Sequence, residues 1–252
     1  MISKIGRYNV TTEFLELFFP DKQRIEMKNP EIPYANNIIY NNLIVFGFPG
    51  TGKTTLVNSL AGYAIDNYGK NNVTAMFSEK GDLDAIIESF KPKLVNLLYT
   101  DNATLAKYSK ETLHNYFMLR NITYDKFGVT NGFILSIIAL HRYFAIPIEF
   151  RTVVDGILIR DISLNPYDKV IIRKLIDNDE LYDILLWLTV ERAVHRNLMN
   201  FSVFVGKTLK GIVSLPPRKN FYFSKPSSPA GMYIPLTREA QIRSILYRRY
   251  GK

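Results

Sequence analysis

Apolar positions change period several times between residues 42 and 160. The run NLIVFG (42–47) is a short β-branched and aromatic stretch ending in glycine, which predicts a strand. In the following KTTLVNSLAGYAIDNYG, the residues Leu56, Leu60 and Ala64 recur at helical spacing until Gly69, and NNVTAMFS (71–78) returns to strand texture. Strand, helix and strand in this order make a βαβ unit, which implies a parallel sheet. GDLDAIIESF predicts a short helix capped by Asp82 and closed before Pro92, and KLVNLLYT (93–100) predicts a buried strand ending at Asp101. Residues 104–127 read as mostly helical, NGFILSIIAL (131–140) is the most apolar strand, and VVDGILIR (153–160) is another. Five such strands predict an α/β fold with a doubly wound sheet and ligands at its carboxyl edge.

The two ends of the chain have a different texture. Prolines at 20, 30 and 33 predict loops and short elements that wrap the core over the first forty residues. After residue 165, PYDKVIIRKLI and DELYDILLWLTVERAVHRNLM predict two helices. The strand-like pieces FSVFVG, KGIVSL, NFYFS and GMYIPL come next, and TREAQIRSILYRRY, opened by Thr237, predicts a last basic helix. The expected organisation is a core over 1–199 with an amino-terminal extension, and a basic extension over 200–252 packed on the same domain.

Composition narrows the chemistry. There is no cysteine, which excludes disulfides, thiolate metal sites and cysteine nucleophiles, and the three histidines are widely spaced. No apolar run is long enough for a membrane helix and the start lacks a signal-peptide layout, so the cytoplasm is the expected location. The net charge of +9 is uneven: residues 192–252 hold twelve Lys or Arg against one acid, Glu239, a balance of +11. The rest of the chain is close to neutral. A basic stretch of this kind points to a polyanionic partner, with nucleic acid ahead of an anionic membrane surface.

The glycine that closes the first strand begins a second pattern. Gly47-Phe48-Pro49-Gly50-Thr51-Gly52-Lys53-Thr54 matches the P-loop at every fixed position. In such a loop successive backbone N–H groups form an anion nest, the helix points its positive end at the phosphates, the lysine reaches the β- and γ-phosphates, and the hydroxyl of Thr54 ligates Mg2+. Thr55 is placed to touch the α-phosphate, so the expected ligands are ATP or GTP and Mg2+. Hydrolysis needs a carboxylate for the metal and a group that activates water. Asp101 supplies the first at the end of its strand, where the other reading is a helix cap. Asn102 cannot act as a base, and Glu79, ending the strand after the P-loop helix, is the candidate; the alternative is an exposed loop acid. His141, at the tip of the apolar strand, is placed to sense the γ-phosphate. Arg120 and Arg151 are placed to stabilise charge at a subunit boundary, unless they serve as surface or salt-bridge residues.

From residue 42 to 160, the P-loop, the Asp-ending strand, the arginine-bearing helix, the apolar strand ending ALHR and the proline-containing link resemble the FtsK-HerA group of RecA-like ATPases. The resemblance implies a RecA-like P-loop NTPase, with Asp101 as the Walker B aspartate, His141 in place of the usual sensor glutamine, and Arg120 or Arg151 as an intersubunit arginine. It also implies a DNA-translocating ATPase, a packaging or transfer motor working as a homo-oligomeric ring, with a hexamer as one form. Asn102 stands where the group has an acid, and Glu79 matches the catalytic glutamate of the recombinase branch. The Asn-, Ile-, Lys- and Tyr-rich composition suits a virus- or plasmid-encoded protein. Two other readings fit the same residues. One is an AAA+ replication initiator or loader, with 166–199 as a helical lid and Arg151 as arginine finger; the other is a slow ATP-dependent switch.

Overall fold

The computed structural model describes residues 2–27, 37–78, 86, 89–101, 131–141, 153–162, 166–192 and 194–224. Short helices α1 (Ile2–Arg7), α2 (Thr11–Phe18) and α3 (Lys22–Glu26) precede strand β1 (Ile38–Phe46). Helix α4 (Lys53–Tyr68) is followed by strands β2 (Val73–Ser78), β3 (Val95–Thr100), β4 (Gly132–Leu140) and β5 (Gly156–Ile159). Helices α5 (Pro166–Ile176) and α6 (Asp179–Glu191) then lead to strands β6 (Phe201–Gly206) and β7 (Lys210–Ser214). The seven strands form one sheet in the order β2-β3-β4-β1-β5-β6-β7, parallel from β2 to β5 and antiparallel across β5-β6 and β6-β7.

The strand residues explain this placement. All nine residues of β4 are buried, and successive side chains alternate between the two faces of the sheet. Phe133, Leu135, Ile137 and Ala139 join Leu56, Leu60 and Ala64 of α4 in one apolar layer, together with Phe14 and Phe18 of α2. Ile134, Ile138 and Leu140 join Ile172 and Ile176 of α5 and Leu181, Leu185 and Leu188 of α6 in the other. A strand that is apolar on both faces is stable only between two helical layers, and β1 and β4 therefore lie at the centre.

Both edges of the sheet are covered by the chain's outer segments. The N–H of Val10 bonds to the carbonyl of Ile212 at 2.9 Å and the N–H of Ile212 to that of Tyr8 at 2.6 Å, which closes the β7 edge. At the other edge Ser224 donates to Ala75 at 2.9 Å and accepts from the N–H of Phe77 at 2.8 Å. Part of each edge is thus paired within the chain, which shortens the template for pairing with other chains. Between Ser214 and Ser224 the chain crosses α4. Ser59 donates to the carbonyl of Pro216 at 2.8 Å, Asn58 donates to that of Asn220 at 2.6 Å and accepts from the N–H of Tyr222 at 2.9 Å, and Arg218 pairs with Asp66.

Three expectations change. β1 begins four residues earlier than the apolar run suggested, because Tyr40, Asn41 and Asn42 continue the pairing with β4. The NFYFS stretch forms no strand but isolated bridges at Asn220 and Ser224, the latter to Met76, and its side chains pack over α4 and the β2 edge. The helix expected to run to Met199 is capped at its start by Asn178, whose Oδ1 accepts the Leu181 N–H at 2.9 Å, but it stops at Glu191. There Arg192 turns inward to donate to the carbonyls of Leu198 and Phe201, and a 3-10 turn, Arg196–Asn200, follows. The stretch 104–127, the GMYIPL piece and the last basic helix lie outside the described residues. Among the described residues, no helix is long and apolar enough to cross a membrane.

Candidate nucleotide-binding site

β1 ends at Phe46 and the chain turns at Pro49 and Gly50 before α4 begins at Lys53. Gly50 and Gly52 adopt φ of +85° and +80°, a left-handed conformation that costs glycine little and other residues more. Gly47 is required for another reason: a Cβ there would lie 2.8 Å from Cβ of Arg160 and 3.0 Å from Oδ1 of Asp161. The carbonyl of Phe48 accepts from the N–H of Thr51 at 3.3 Å, its hydroxyl at 2.9 Å and Nζ of Lys53 at 3.0 Å. This ties the loop into a tight turn.

Lys53 is almost wholly buried and also donates to the carbonyl of Gly47 at 2.7 Å. Burial lowers its pKa, while the charges of Asp101 and Asp161 oppose that shift. His141, one residue past β4, has Nδ1 at 3.2 Å from Nζ of Lys53 and 3.1 Å from the carbonyl of Gly47. Asp101, one residue past β3, donates its N–H to the carbonyl of Ser78 at 2.9 Å. Between Asp101 and Thr54 stands Tyr99. Its hydroxyl is 3.4 Å from Oγ1 of Thr54 and is also hydrogen-bonded with Asp101, and burial, more than the Asp101 charge, pushes its pKa up. The ring stacks on Phe77 at 5.0 Å and tilts against Phe223 at 5.6 Å.

The P-loop residues Gly47, Pro49, Gly50, Thr51, Gly52, Lys53, Thr54 and Thr55 are therefore contiguous at the carboxyl edge, with Asp101 and His141 beside them. Glu79, Arg120 and Arg151 lie outside the described residues. Sequence reasoning missed Tyr99, Arg160, Asp161 and Arg192. Arg160 follows β5 and Asp161 follows it, and the Phe48 N–H donates to Oδ1 of Asp161 at 2.9 Å. The signal available was a charged Arg-Asp pair directly after a buried strand, at the edge where the loop lies.

The donor set suits Mg2+. Thr54 and Asp101 offer hard oxygens beside the phosphate loop, and this ion is commonly held by one or two carboxylates together with substrate phosphates. No cluster of three or more His, Cys, Asp or Glu that could cage a metal occurs among the described residues.

A Gly-x4-Gly-Lys-Thr loop between β1 and α4, with β4 inserted between β1 and the Asp101 strand, defines a P-loop NTPase fold of RecA-like strand order. Solved structures of similar fold include the DNA-packaging ATPase B204 of Sulfolobus Turreted Icosahedral Virus, at 11% identity over 71% of this chain and 98% of that one, TM-score 0.43. Another is the genome packaging NTPase B204 of Sulfolobus turreted icosahedral virus 2 in complex with AMPPCP, at 11% identity over 71% and 98%, TM-score 0.45. A third is the cytoplasmic domain of the type VII secretion ATPase EccC of Thermomonospora curvata, at 12% identity, TM-score 0.40; the match covers 74% of this chain and 24% of that one. The likeness is one of fold. No protein-family model matches the chain, and no curated protein matches its sequence.

Proposed function

We propose that the chain binds ATP with Mg2+ and hydrolyses it to act on DNA, as a homo-oligomeric translocase or a packaging or transfer motor, a hexameric ring being one form of such an assembly. One observation carries the ATPase reading. Lys53 opens the helix that follows β1, Asp101 and His141 follow the neighbouring strands β3 and β4, and the charge of Asp101 and the ring of His141 both bear on Lys53. In this reading Gly47, Pro49, Gly50, Thr51 and Gly52 present the anion nest, Lys53 leaves the Gly47 and Phe48 carbonyls for the phosphates, and Thr55 meets the α-phosphate. Thr54 and Asp101 would hold Mg2+, which neutralises phosphate charge when bound. His141 reports the γ-phosphate to Lys53 and the Gly47 carbonyl. Glu79 is the base that takes a proton from the attacking water, and Arg120 or Arg151 reaches a neighbouring subunit's nucleotide.

The DNA half of the proposal rests on the basic balance of residues 192–252. Among the described residues three of those cations are engaged within the fold: Arg192 is buried, Arg218 pairs with Asp66 and Lys207 pairs with Asp155. The others are offered to backbone phosphates. Residues 200–252 act in this reading as an extension of the core rather than as a separate module, and the continuation of the sheet through β6 and β7 supports a pump over an initiator with a helical lid. The proposed location is the cytoplasm of a host cell, with a virus or plasmid as the gene's carrier.

Phosphate release measured with Mg2+ at low salt, with and without duplex DNA, tests both halves. Turnover should rise with DNA and vanish in Lys53→Ala. Turnover indifferent to DNA rejects the motor, and no turnover at saturating ATP rejects the hydrolase.

A further inference from the structure

Arg160 is the largest side chain in the fully buried set. Its backbone N–H donates to the carbonyl of Phe46 at 2.8 Å, which sets it alongside Gly47 where the phosphate loop begins. All its donors are used. Nε and Nη2 donate to the carbonyl of Thr51 at 3.0 and 2.8 Å, Nη1 donates to the carbonyl of Phe201 and to Oγ of Ser202 at 2.9 Å each, and Nη2 also donates to the carbonyl of Met199. A guanidinium has five N–H groups in a rigid fork, so these five bonds exhaust it.

The two ends of the fork belong to different parts of the molecule. Thr51 is the loop residue before Gly52, and a Cβ on Gly52 would stand 3.1 Å from Nη2, so the Thr51-Gly52 peptide lies against the guanidinium. Met199, Phe201 and Ser202 mark the passage from the 3-10 turn into β6, and the carbonyl of Asn200 between them accepts the N–H of Leu215, where the crossing of α4 begins.

The electrostatics of the cluster point the same way. Arg192 donates to the same Phe201 carbonyl, and its Nη1 has no hydrogen-bond partner among the described residues. Burial, with the Arg192 charge second, pulls the Arg160 pKa down to about 9, which leaves it charged at neutral pH. Asp161 is the nearby acid, and it is committed to the Phe48 N–H. Lys53, Arg160 and Arg192 thus place three cations around a loop whose close acids are Asp161 and Asp101. An anion entering the loop relieves that excess, and the rigid fork carries any resulting shift of Thr51 to the far side.

We propose that Arg160 is a positioning residue that holds the phosphate loop through Thr51 and couples nucleotide occupancy of the loop to the Met199–Ser202 segment. The inference rests on nucleotide binding at the loop and adds a route by which that binding reaches the antiparallel edge of the sheet. It concerns position, since Arg160 is saturated by protein acceptors and touches no reacting atom.

The test pairs two measurements on the full chain: the affinity for a fluorescent ATP analogue with Mg2+, and amide hydrogen exchange over residues 196–206 with and without saturating ATPγS. In the wild type, nucleotide should slow exchange at 199–202. Arg160→Lys keeps the charge and loses the fork, and should weaken nucleotide affinity about tenfold and abolish the exchange response at saturation. Ser202→Ala removes one far acceptor at little cost in volume, and should reduce the response and weaken affinity about threefold. Wild-type binding with unchanged exchange at 199–202 overturns the coupling while leaving nucleotide binding intact. A soluble, folded Ser202→Ala chain with wild-type affinity and response overturns it as well, as does an Arg160→Lys chain that retains both. Failure of the wild type to bind the analogue overturns the nucleotide reading itself, and the inference with it.

Discussion

Nδ1 of His141 lies 3.2 Å from Nζ of Lys53, and both groups converge on the carbonyl oxygen of Gly47. Strand β4 delivers the imidazole and helix α4 delivers the ammonium, so one loop carbonyl joins the end of that strand to the start of the helix. His141→Ala removes this link while leaving the loop's backbone bonds in place. We expect phosphate release to fall roughly 10²-fold with a much smaller change in ATP affinity, as for loss of one oriented polar group at a reacting charge. His141→Gln restores a side chain able to bond the Gly47 carbonyl and should recover part of the rate, in steady-state assays of kcat and KM.

Lys53 is held below its usual pKa by burial. Between that lowered value and 10.5 the unfolded chain binds more protons than the folded one, so this residue makes stability rise with pH across that window. Below it the cost of burying the charge is fully present. Nucleotide-free Lys53→Met should therefore unfold at a higher temperature than the wild type at neutral pH, and the gap should close as pH approaches 10.5. Thermal melts across pH check this, with loss of turnover in the same variant.

The Tyr99 hydroxyl stands between Thr54 and Asp101, while its ring belongs to the stack with Phe77. Tyr99→Phe keeps the ring and should cost only about 1 kcal/mol, the usual net value of one hydrogen bond. It should also raise the Mg2+ concentration needed for half-maximal turnover, because the two metal-facing oxygens lose their common partner. Tyr99→Ala opens the aromatic cluster and should cost about 3–5 kcal/mol in denaturant titration.

Asn58 is buried on α4 and holds the crossing segment through Asn220 and Tyr222. Asn58→Ala leaves the Asn220 carbonyl and the Tyr222 N–H without that partner and should destabilise the fold by about 2–3 kcal/mol. Limited proteolysis should then cut between residues 215 and 224 faster than in the wild type.

Gly47→Ala would press its methyl against Cβ of Arg160 and Oδ1 of Asp161. Cβ of Arg160, which moves only with its backbone, and a committed carboxylate cannot both retreat, so the variant should lose ATP binding and about 2 kcal/mol or more of stability, read by equilibrium binding and melting. A matching Gly50→Ala meets no atom within 4 Å and is strained only by its φ of +85°, which predicts a smaller loss of about 1 kcal/mol.

What the sequence determined by itself was whatever is written over short spans. The P-loop from Gly47 to Thr55 is contiguous, the apolar runs of β3 and β4 announce buried strands, and a parallel sheet then requires Asp101 and His141 at the carboxyl edge with the loop. Periodicity reports which face of an element is apolar, and it is silent about which element lies next to which. Strand order was decided by tertiary packing, and with it the placing of β4 between β1 and β3, of Arg160 and Asp161 against Gly47, and of the Tyr99 hydroxyl between Thr54 and Asp101. The crossing of α4 joins Asn58 to Asn220, 162 positions apart, and the helix expected to reach Met199 stops at Glu191 because buried carbonyls at Leu198 and Phe201 take up Arg192. Such pairings exist because buried polar groups must find partners wherever the fold brings them.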